Sequence, residues 1–478
     1  MKRFSIIFVV LLLIVSAVNA QDILFSRNYG HSGVIDNGYC GDITSDGGFI
    51  IGGGSNAFTG GDLWLVRCDA SGDAVWTRNY GGDRWQMAYS VIETDDGGFA
   101  ACGENSIASG DDDLFIVRTF ADGNPMWTRN VGVVGENDKG REIIQTADRG
   151  FLALGQGHNT ANNTGDLFMV KVDSLGNPEW TRLYGYGNYR SEYGYGAVQL
   201  PDGGFTLTGT YAVSSSSADI WLLRTDGNGD TLWTRTFDFH TDIDRGDDIA
   251  LAPDGGFAIA GRTRIGSYYQ LLAMKTDSLG NLLWWREFGG ADTDFAESID
   301  ITADGGFVIC GGGNGYPYDY YVVRVGSNGD SLWAAFYDYD GVAGDSEDSF
   351  EIRVYPGGDI MVFGYADVQS GTGADNDYWA VKLNDSTYQA GCEYVVGDVN
   401  GSDSYNGLDI TYGVAFFKGG ADPICPFGSC SIPPCDTFFY CGDVNGSCTY
   451  NGLDITYGVA YFKGGSDPIP CPDCPPMN

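Results

Sequence analysis

The sequence predicts an all-β chain, a seven-bladed β-propeller closed by its own N-terminal strand and followed by a small duplicated tail of α-helical character. Three observations carry this reading. The first is a turn tetrad that recurs as Asp46-Gly47-Gly48-Phe49, Asp96 to Phe99, Asp148-Arg149-Gly150-Phe151, Asp202 to Phe205, Asp254 to Phe257 and Asp304 to Phe307. A degenerate seventh copy reads Pro356-Gly357-Gly358-Asp359, and successive copies stand 50 to 54 residues apart, the length of one four-stranded blade. Asp and Gly tolerate positive φ, so each tetrad is a hairpin turn whose Phe starts the next strand.

The second observation is an apolar, β-favouring segment after most tetrads: Asp62 to Arg67, Asp113 to Arg118, Asp166 to Lys171, Asp219 to Arg224, Asp319 to Arg324 and Asp377 to Lys382. A further turn then leads to a strand carrying Trp76, Trp127, Trp180, Trp233, Trp284 or Trp333, which completes four strands per unit. The third is what the seventh unit lacks. It ends at Lys382 and Leu383 with no Trp-bearing strand, whereas Phe25-Ser26-Arg27-Asn28-Tyr29-Gly30 repeats the pattern of Trp76-Thr77-Arg78-Asn79-Tyr80-Gly81. The front of the chain therefore supplies the missing strand and seals the ring, which removes two exposed edges. The segment 21–388 resembles the broad seven-bladed propeller class without the marker motifs of WD40 or Kelch repeats.

Composition agrees. Gly 73 and 14% aromatics with only 15 Pro suit many short strands joined by tight turns. Met1-Lys2-Arg3, the apolar run Ile6 to Val15 and the small residues Val18-Asn19-Ala20 read as a secretory signal peptide over residues 1–20, so the protein is expected to be secreted and extracellular. The apolar run is too short for a membrane span, and no later segment offers one. A net charge of -38 argues against nucleic acid and anionic membranes as partners and is compatible with divalent cations. Twelve Cys in an exported chain predict disulfides. Only Cys40, Cys68, Cys102 and Cys310 precede residue 390, and spacing leaves the pairing of the tail cysteines open.

In such a blade the tetrad turns open on one face, and the segments that vary between blades open on the other: Ser55 to Gly61, Glu104 to Asp112, Gln156 to Gly165, Tyr211 to Ala218, Arg262 to Tyr268, Asn314 to Tyr318 and Ala366 to Asn376. That variable face is where a ligand site is expected. In and beside these segments stand Trp85, Tyr184, Tyr186, Tyr189, Tyr193, Tyr195, Tyr211, Tyr268, Tyr316 and Tyr318. Aromatic faces among Asp, Asn and Gly suit sugar rings, and they equally pack loops and strand edges. Asp111-Asp112-Asp113 reads either as a cation site or as a solvated acidic turn. The histidines His31, His158 and His240 have no metal-ligand spacing, which leaves paired carboxylates as the catalytic option.

The tail, 392–478, carries the most specific motif, Gly397-Asp398-Val399-Asn400-Gly401-Ser402-Asp403-Ser404-Tyr405-Asn406-Gly407-Leu408-Asp409, repeated from Gly442 to Asp454. Asp398, Asn400, Ser402, Ser404, Asn406 and Asp409, with Asp443, Asn445, Ser447, Thr449, Asn451 and Asp454, place oxygen donors at the loop positions a hard cation needs. Ser404 and Thr449 offer backbone carbonyls, and Asp409 and Asp454 close the loops. Each loop runs into one apolar helix ended by Gly, Ile410 to Gly420 or Ile455 to Gly465. The two stretches, 397–420 and 442–465, resemble the paired half EF-hands of type I dockerins. The resemblance implies two structural calcium ions and docking onto a cohesin-like protein through Leu408, Thr411, Tyr412, Leu453, Thr456 and Tyr457. Ser402 and Ser447 stand where such loops usually have Asp, and Asp403 and Cys448 where they have Gly, which predicts weak binding matched to millimolar extracellular calcium.

The reading that follows is a secreted binding or scaffold protein, its propeller recognising a glycan or protein and its tail tethering it to a cohesin-like partner. The alternative is a dockerin-bearing propeller glycoside hydrolase or lyase acting on polysaccharide through paired acids. Asp409→Ala and Asp454→Ala are each expected to lower calcium affinity at least tenfold in calorimetric titration; an unchanged isotherm would show that these loops do not bind the ion.

Overall fold

The computed structural model describes residues 22–385, apart from 109–110, 133–135, 160–163, 186–191, 215–216, 241, 315–317, 341–345 and 369–374. The N-terminal segment read as a signal peptide and all twelve calcium-ligand candidates in the tail lie outside the described residues, as do Tyr186, Tyr189 and Tyr316. The described residues belong to one compact unit.

They form seven antiparallel four-stranded sheets. Six are built in chain order, and the seventh is completed by Ile23–Tyr29, hydrogen-bonded to Asn376–Leu383. The register of this closure runs from Phe25 opposite Lys382 to Tyr29 opposite Tyr378. The closing strand also binds the first blade as each outer strand binds its neighbour. Phe25 stacks on Phe49 at 6.0 Å, where Trp76 meets Phe99 at 5.6 Å and Trp127 meets Phe151 at 5.9 Å. The Tyr29 hydroxyl donates to the Gly72 carbonyl at 2.6 Å, as Tyr80 does to Gly123 at the same distance.

The tetrads explain the blade interiors. Phe49, Phe99, Phe151, Phe205, Phe257 and Phe307 are fully buried between neighbouring sheets, each contributing roughly 1.5–3 kcal/mol of burial. Gly47 takes φ 85, and in the third blade Arg149 takes φ 66 where the other tetrads have Gly. The tetrad Asp pairs with the buried basic residue of the third strand: Asp46 with Arg67 at 2.6 Å, Asp148 with Lys171 at 2.9 Å, Asp304 with Arg324 at 2.7 Å. The degenerate seventh turn keeps this pair by moving its acid to the end, so that Asp359 meets Lys382 at 2.9 Å. Arg324, with no exposed side-chain surface, also holds Asp385, anchoring the chain just after the last strand.

Several variable segments prove to be paired strand and not loop. Phe99–Ala108 pairs with Asp111–Thr119 out to Ala108 opposite Asp111, and Phe205–Ser214 with Ser217–Thr225 out to Ser214 opposite Ser217. Their polar composition hid this, because backbone pairing beyond the core needs no apolar side chain. Cys40, Cys68, Cys102 and Cys310 are buried free thiols. No helix among the described residues is long and apolar enough to cross a membrane.

The innermost strands are Asp36–Ile43, Gln86–Glu93, Lys139–Gln145, Tyr193–Gln199, Asp244–Leu251, Ser298–Ile301 and Glu347–Val354. Each blade has the same irregularity here. Pairing skips one residue at Tyr39, Tyr89, Arg141, Tyr195, Asp247 and Phe350, and in the sixth blade Glu297 and Ser298 both face Cys310. These are β-bulges, which re-aim the extra residue. Opposite each lies a glycine four residues after the first residue of the second strand: Gly53, Gly103, Gly155, Gly209, Gly261, Gly311 and Gly364. A Cβ at any of them would sit 1.8 to 2.0 Å from the carbonyl oxygen two residues before the bulge. Gly261→Ala, which would collide with the Arg245 carbonyl, is expected to cost about 1–3 kcal/mol, whereas Gly82→Ala, with open space around it, should be near neutral. Urea denaturation of the two variants checks this; equal midpoints would refute it.

Candidate functional site

All seven bulged residues, one per blade, line a single cavity of about 240 Å³ at the ring's centre. The residues that follow them add Glu142, Asp248, Ser298 and Glu351. The inner strands start on the variable face and run toward the tetrad turns. The cavity therefore lies on the variable-face side of Arg353, whose guanidinium bonds Glu351 and reaches Asp42 at 3.4 Å to form a charged floor.

That floor is also a seam between blades. Asp42 accepts from the Glu93 amide at 2.8 Å, Asp248 from Ile299 at 2.9 Å and Asp300 from Val354 at 2.8 Å, each acid bonding the inner strand of the next blade. Burial raises the Asp42 carboxyl to about 6 against the pull of Arg353. It also raises Glu142 and Glu351, and brings Asp248 to about 7, with the charge of Glu351 adding to the effect. The Ser298 hydroxyl lies 2.9 Å from Asp248 Oδ2 and 2.7 Å from Glu351 Oε1. A hydroxyl has one proton to donate, so both contacts are full hydrogen bonds when one of the two carboxyls carries a proton and donates it back. The geometry and the burial thus agree on a pair that shares a proton near neutral pH.

Higher in the cavity the walls differ from side to side. Over blades five and six, Asp247 is gripped by Arg245 and by Arg262 at 3.1 Å, and Arg262 reaches Glu297 at 2.6 Å. Arg245 lies over the Tyr195 ring at 3.8 Å. Burial still lifts Asp247 to about 6 despite both arginines. On the other side the wall is aromatic. Tyr39 sits 4.9 Å from Phe350 and 5.7 Å from Tyr89, and Phe350 stacks on Tyr365. Arg141 lies over Tyr89 at 4.3 Å.

Of the described aromatic residues singled out in the sequence, only Tyr195 lines this cavity; Trp85, Tyr184, Tyr193, Tyr211, Tyr268 and Tyr318 do not. Asp111, Asp112 and Asp113 form the start of a strand, with the Asp112 amide bonded to the Asn137 side chain at 3.2 Å. Among the described residues no three His, Cys, Asp or Glu side chains are grouped to hold a metal. The three histidines each face one carboxylate in separate blades: Asp36, Glu136 and Glu287. One signal for the cavity was present in the sequence, since every bulged residue stands ten positions before the residue that opens the second strand, Phe49 through Phe307 and Ile360.

No family model and no curated protein matches this chain. Solved structures are similar in fold. A protein of unknown function from Dyadobacter fermentans is 12% identical over 64% of this chain and 96% of its own, with a TM-score of 0.44. Chaetomium thermophilum Sqt1, bound to the N-terminus of ribosomal protein L10, is 10% identical over 76% of this chain and 100% of its own, at 0.45. The polysaccharide lyase Uly1 is 10% identical over 74% of this chain and 91% of its own, also at 0.45. Likenesses this distant say nothing of ligand or activity. What the strand topology itself establishes is the class, an all-β seven-bladed propeller.

The raised acids set a pH dependence. An unfolded Asp titrates near ~3.9, so between there and about 7 the folded chain holds a proton at Asp248 that the unfolded chain has lost. The stability from this group is present below that window and lost as pH rises through it. Asp248→Asn is therefore expected to gain on the wild type by at least about 1.4 kcal/mol between pH 5 and pH 8, the equivalent of one pKa unit. Urea midpoints at the two pH values check it, and a difference that stays constant refutes it.

Proposed function

We propose that this chain is a secreted binding component whose propeller takes one sugar residue of a glycan into the central cavity, while a calcium-ordered, dockerin-like tail tethers it to a cohesin-like protein. The observation that carries the propeller half is the cavity's lining: seven bulges, one per blade, aim aromatic faces and charged hydrogen-bonding groups at one central cavity. Sugars need both, a ring face for their C–H surface and acceptors for their hydroxyls. At about 240 Å³ the cavity is smaller than the roughly 300–1,000 Å³ of drug-sized sites, which suits a single ring at the end or bend of a longer chain. The tail half rests on the donor spacing in 397–409 and 442–454.

A second reading has its own support. A carboxyl that keeps its proton at neutral pH can deliver it to a departing glycosidic oxygen, and the pair Asp248 and Glu351 shares such a proton through Ser298. A polysaccharide array probed with the full chain, followed by a reducing-end assay on every binder, separates the two. Binding without turnover, weakened roughly tenfold (about 1.4 kcal/mol) by Tyr39→Ala, supports the binding role. Turnover abolished by Asp248→Asn or Glu351→Gln supports the enzyme, and an array with no binders refutes both.

A further inference from the structure

Building on the glycan reading, we propose that Arg141 anchors a carboxylate borne by the sugar ring in the central cavity, which makes the propeller a reader of uronate residues. The inference starts from the cavity's cations. In a chain with 64 Asp and Glu against 26 Lys and Arg, cationic groups in the interior are expected to be claimed by acids, and of the four arginines lining the cavity or bonded to its lining residues three are. Arg245 and Arg262 hold Asp247, Arg262 also holds Glu297, and Arg353 holds Glu351. Arg141 is the exception. Among the described residues no side chain or carbonyl is hydrogen-bonded or ion-paired to its guanidinium, whose one close partner is the Tyr89 ring beneath it.

Stacking uses the face of a guanidinium and leaves its edges available. Those edges carry five N–H donors in a planar fork that matches a carboxylate in a bidentate pair. The fork is also fixed in place, because Arg141 is the bulged residue of the third blade and the bulge directs it to the cavity. Three blades round the ring the opposite wall is Glu297, with Asp247 beside it. These carboxylates accept hydrogen bonds from hydroxyls and repel a second anion. A ligand satisfying both walls carries one carboxylate at one end and several hydroxyls at the other, which describes a hexuronate ring. A neutral hexose leaves the Arg141 fork without its matching acceptor, and a peptide C-terminus brings the carboxylate but not the hydroxyls.

The test uses the full chain in calorimetric titration with oligogalacturonate, oligoglucuronate and oligomannuronate, each beside its carboxyl-reduced counterpart, and with short peptides ending in a free carboxylate. At least one uronate is expected to bind tenfold or more tightly than its reduced form. Arg141→Ala should erase that preference and Arg141→Lys retain part of it, both still folded, with only the small loss of melting temperature that removing the stack on Tyr89 brings. Equal affinity for the acidic and reduced forms, or a preference that survives Arg141→Ala, overturns the inference. If the reduced sugars bind in a Tyr39-dependent way without any carboxylate preference, the uronate assignment fails and the glycan reading stands. If no saccharide binds, both fall, and Arg141-dependent binding of peptides alone likewise overturns the assignment.

Discussion

The close approach of one backbone to another, seven times over, is the constraint on which the cavity depends. Each innermost strand carries one residue too many for its partner, and the surplus can face the channel only if the carbonyl two positions earlier moves into space that a Cβ would fill. Glycine at Gly53, Gly103, Gly155, Gly209, Gly261, Gly311 and Gly364 leaves that space open. The side chains that line the cavity are therefore placed by residues that have none. Ring closure then locks the seven bulges into one circle. With Ile23–Tyr29 paired to the last blade, no sheet is free to shift its bulge out of the common plane.

The same backbone solution is filled by different side chains. At the bulge the blades carry Tyr, Tyr, Arg, Tyr, Asp, Glu and Phe, so a near-symmetric scaffold presents an asymmetric cavity. Charge is sorted within it. The acids of the floor serve the fold, since Asp42, Asp248 and Asp300 each cap an amide of the neighbouring blade. Burying them without enough cations is unfavourable, and the molecule answers by holding protons on part of the set. Asp248 with a raised carboxyl pKa is thus a consequence of blade-to-blade stitching before it is anything else, which is why a shared proton there does not by itself make an enzyme.

Much of the architecture was legible because it repeats. The tetrad spacing and the likeness between Phe25 to Gly30 and Trp76 to Gly81 were enough to place the closing strand beside the strand that ends at Leu383. The cavity was not legible, for a physical reason: apolar periodicity is the signal a strand gives, and the bulge breaks it. Tyr39, Arg141 and Asp247 share no chemistry, so nothing marks them as equivalent until strand pairing shows that each is the surplus residue. The visible aromatic signal lies in the tyrosines near the variable segments, of which, among the described residues, Tyr195 alone reaches the cavity. Those segments misled in a second way, because polar hairpins such as Phe99–Ala108 with Asp111–Thr119 extend strand pairing past the core, where composition resembles loop.

The position of Arg141 draws these strands together. The guanidinium of Arg141 lies on Tyr89, yet among the described residues no acid pairs with it, even though acids outnumber bases more than twofold in this chain. Arg245 shows the alternative, stacked on Tyr195 and held to Asp247 as well. Two arginines with the same aromatic support thus differ in one respect, the carboxylate. Where the fold supplies that partner the side chain is structural; where it does not, the fork is complete only when the anion arrives from outside, and the aromatic platform that keeps it waiting is the part of the site the backbone had to build.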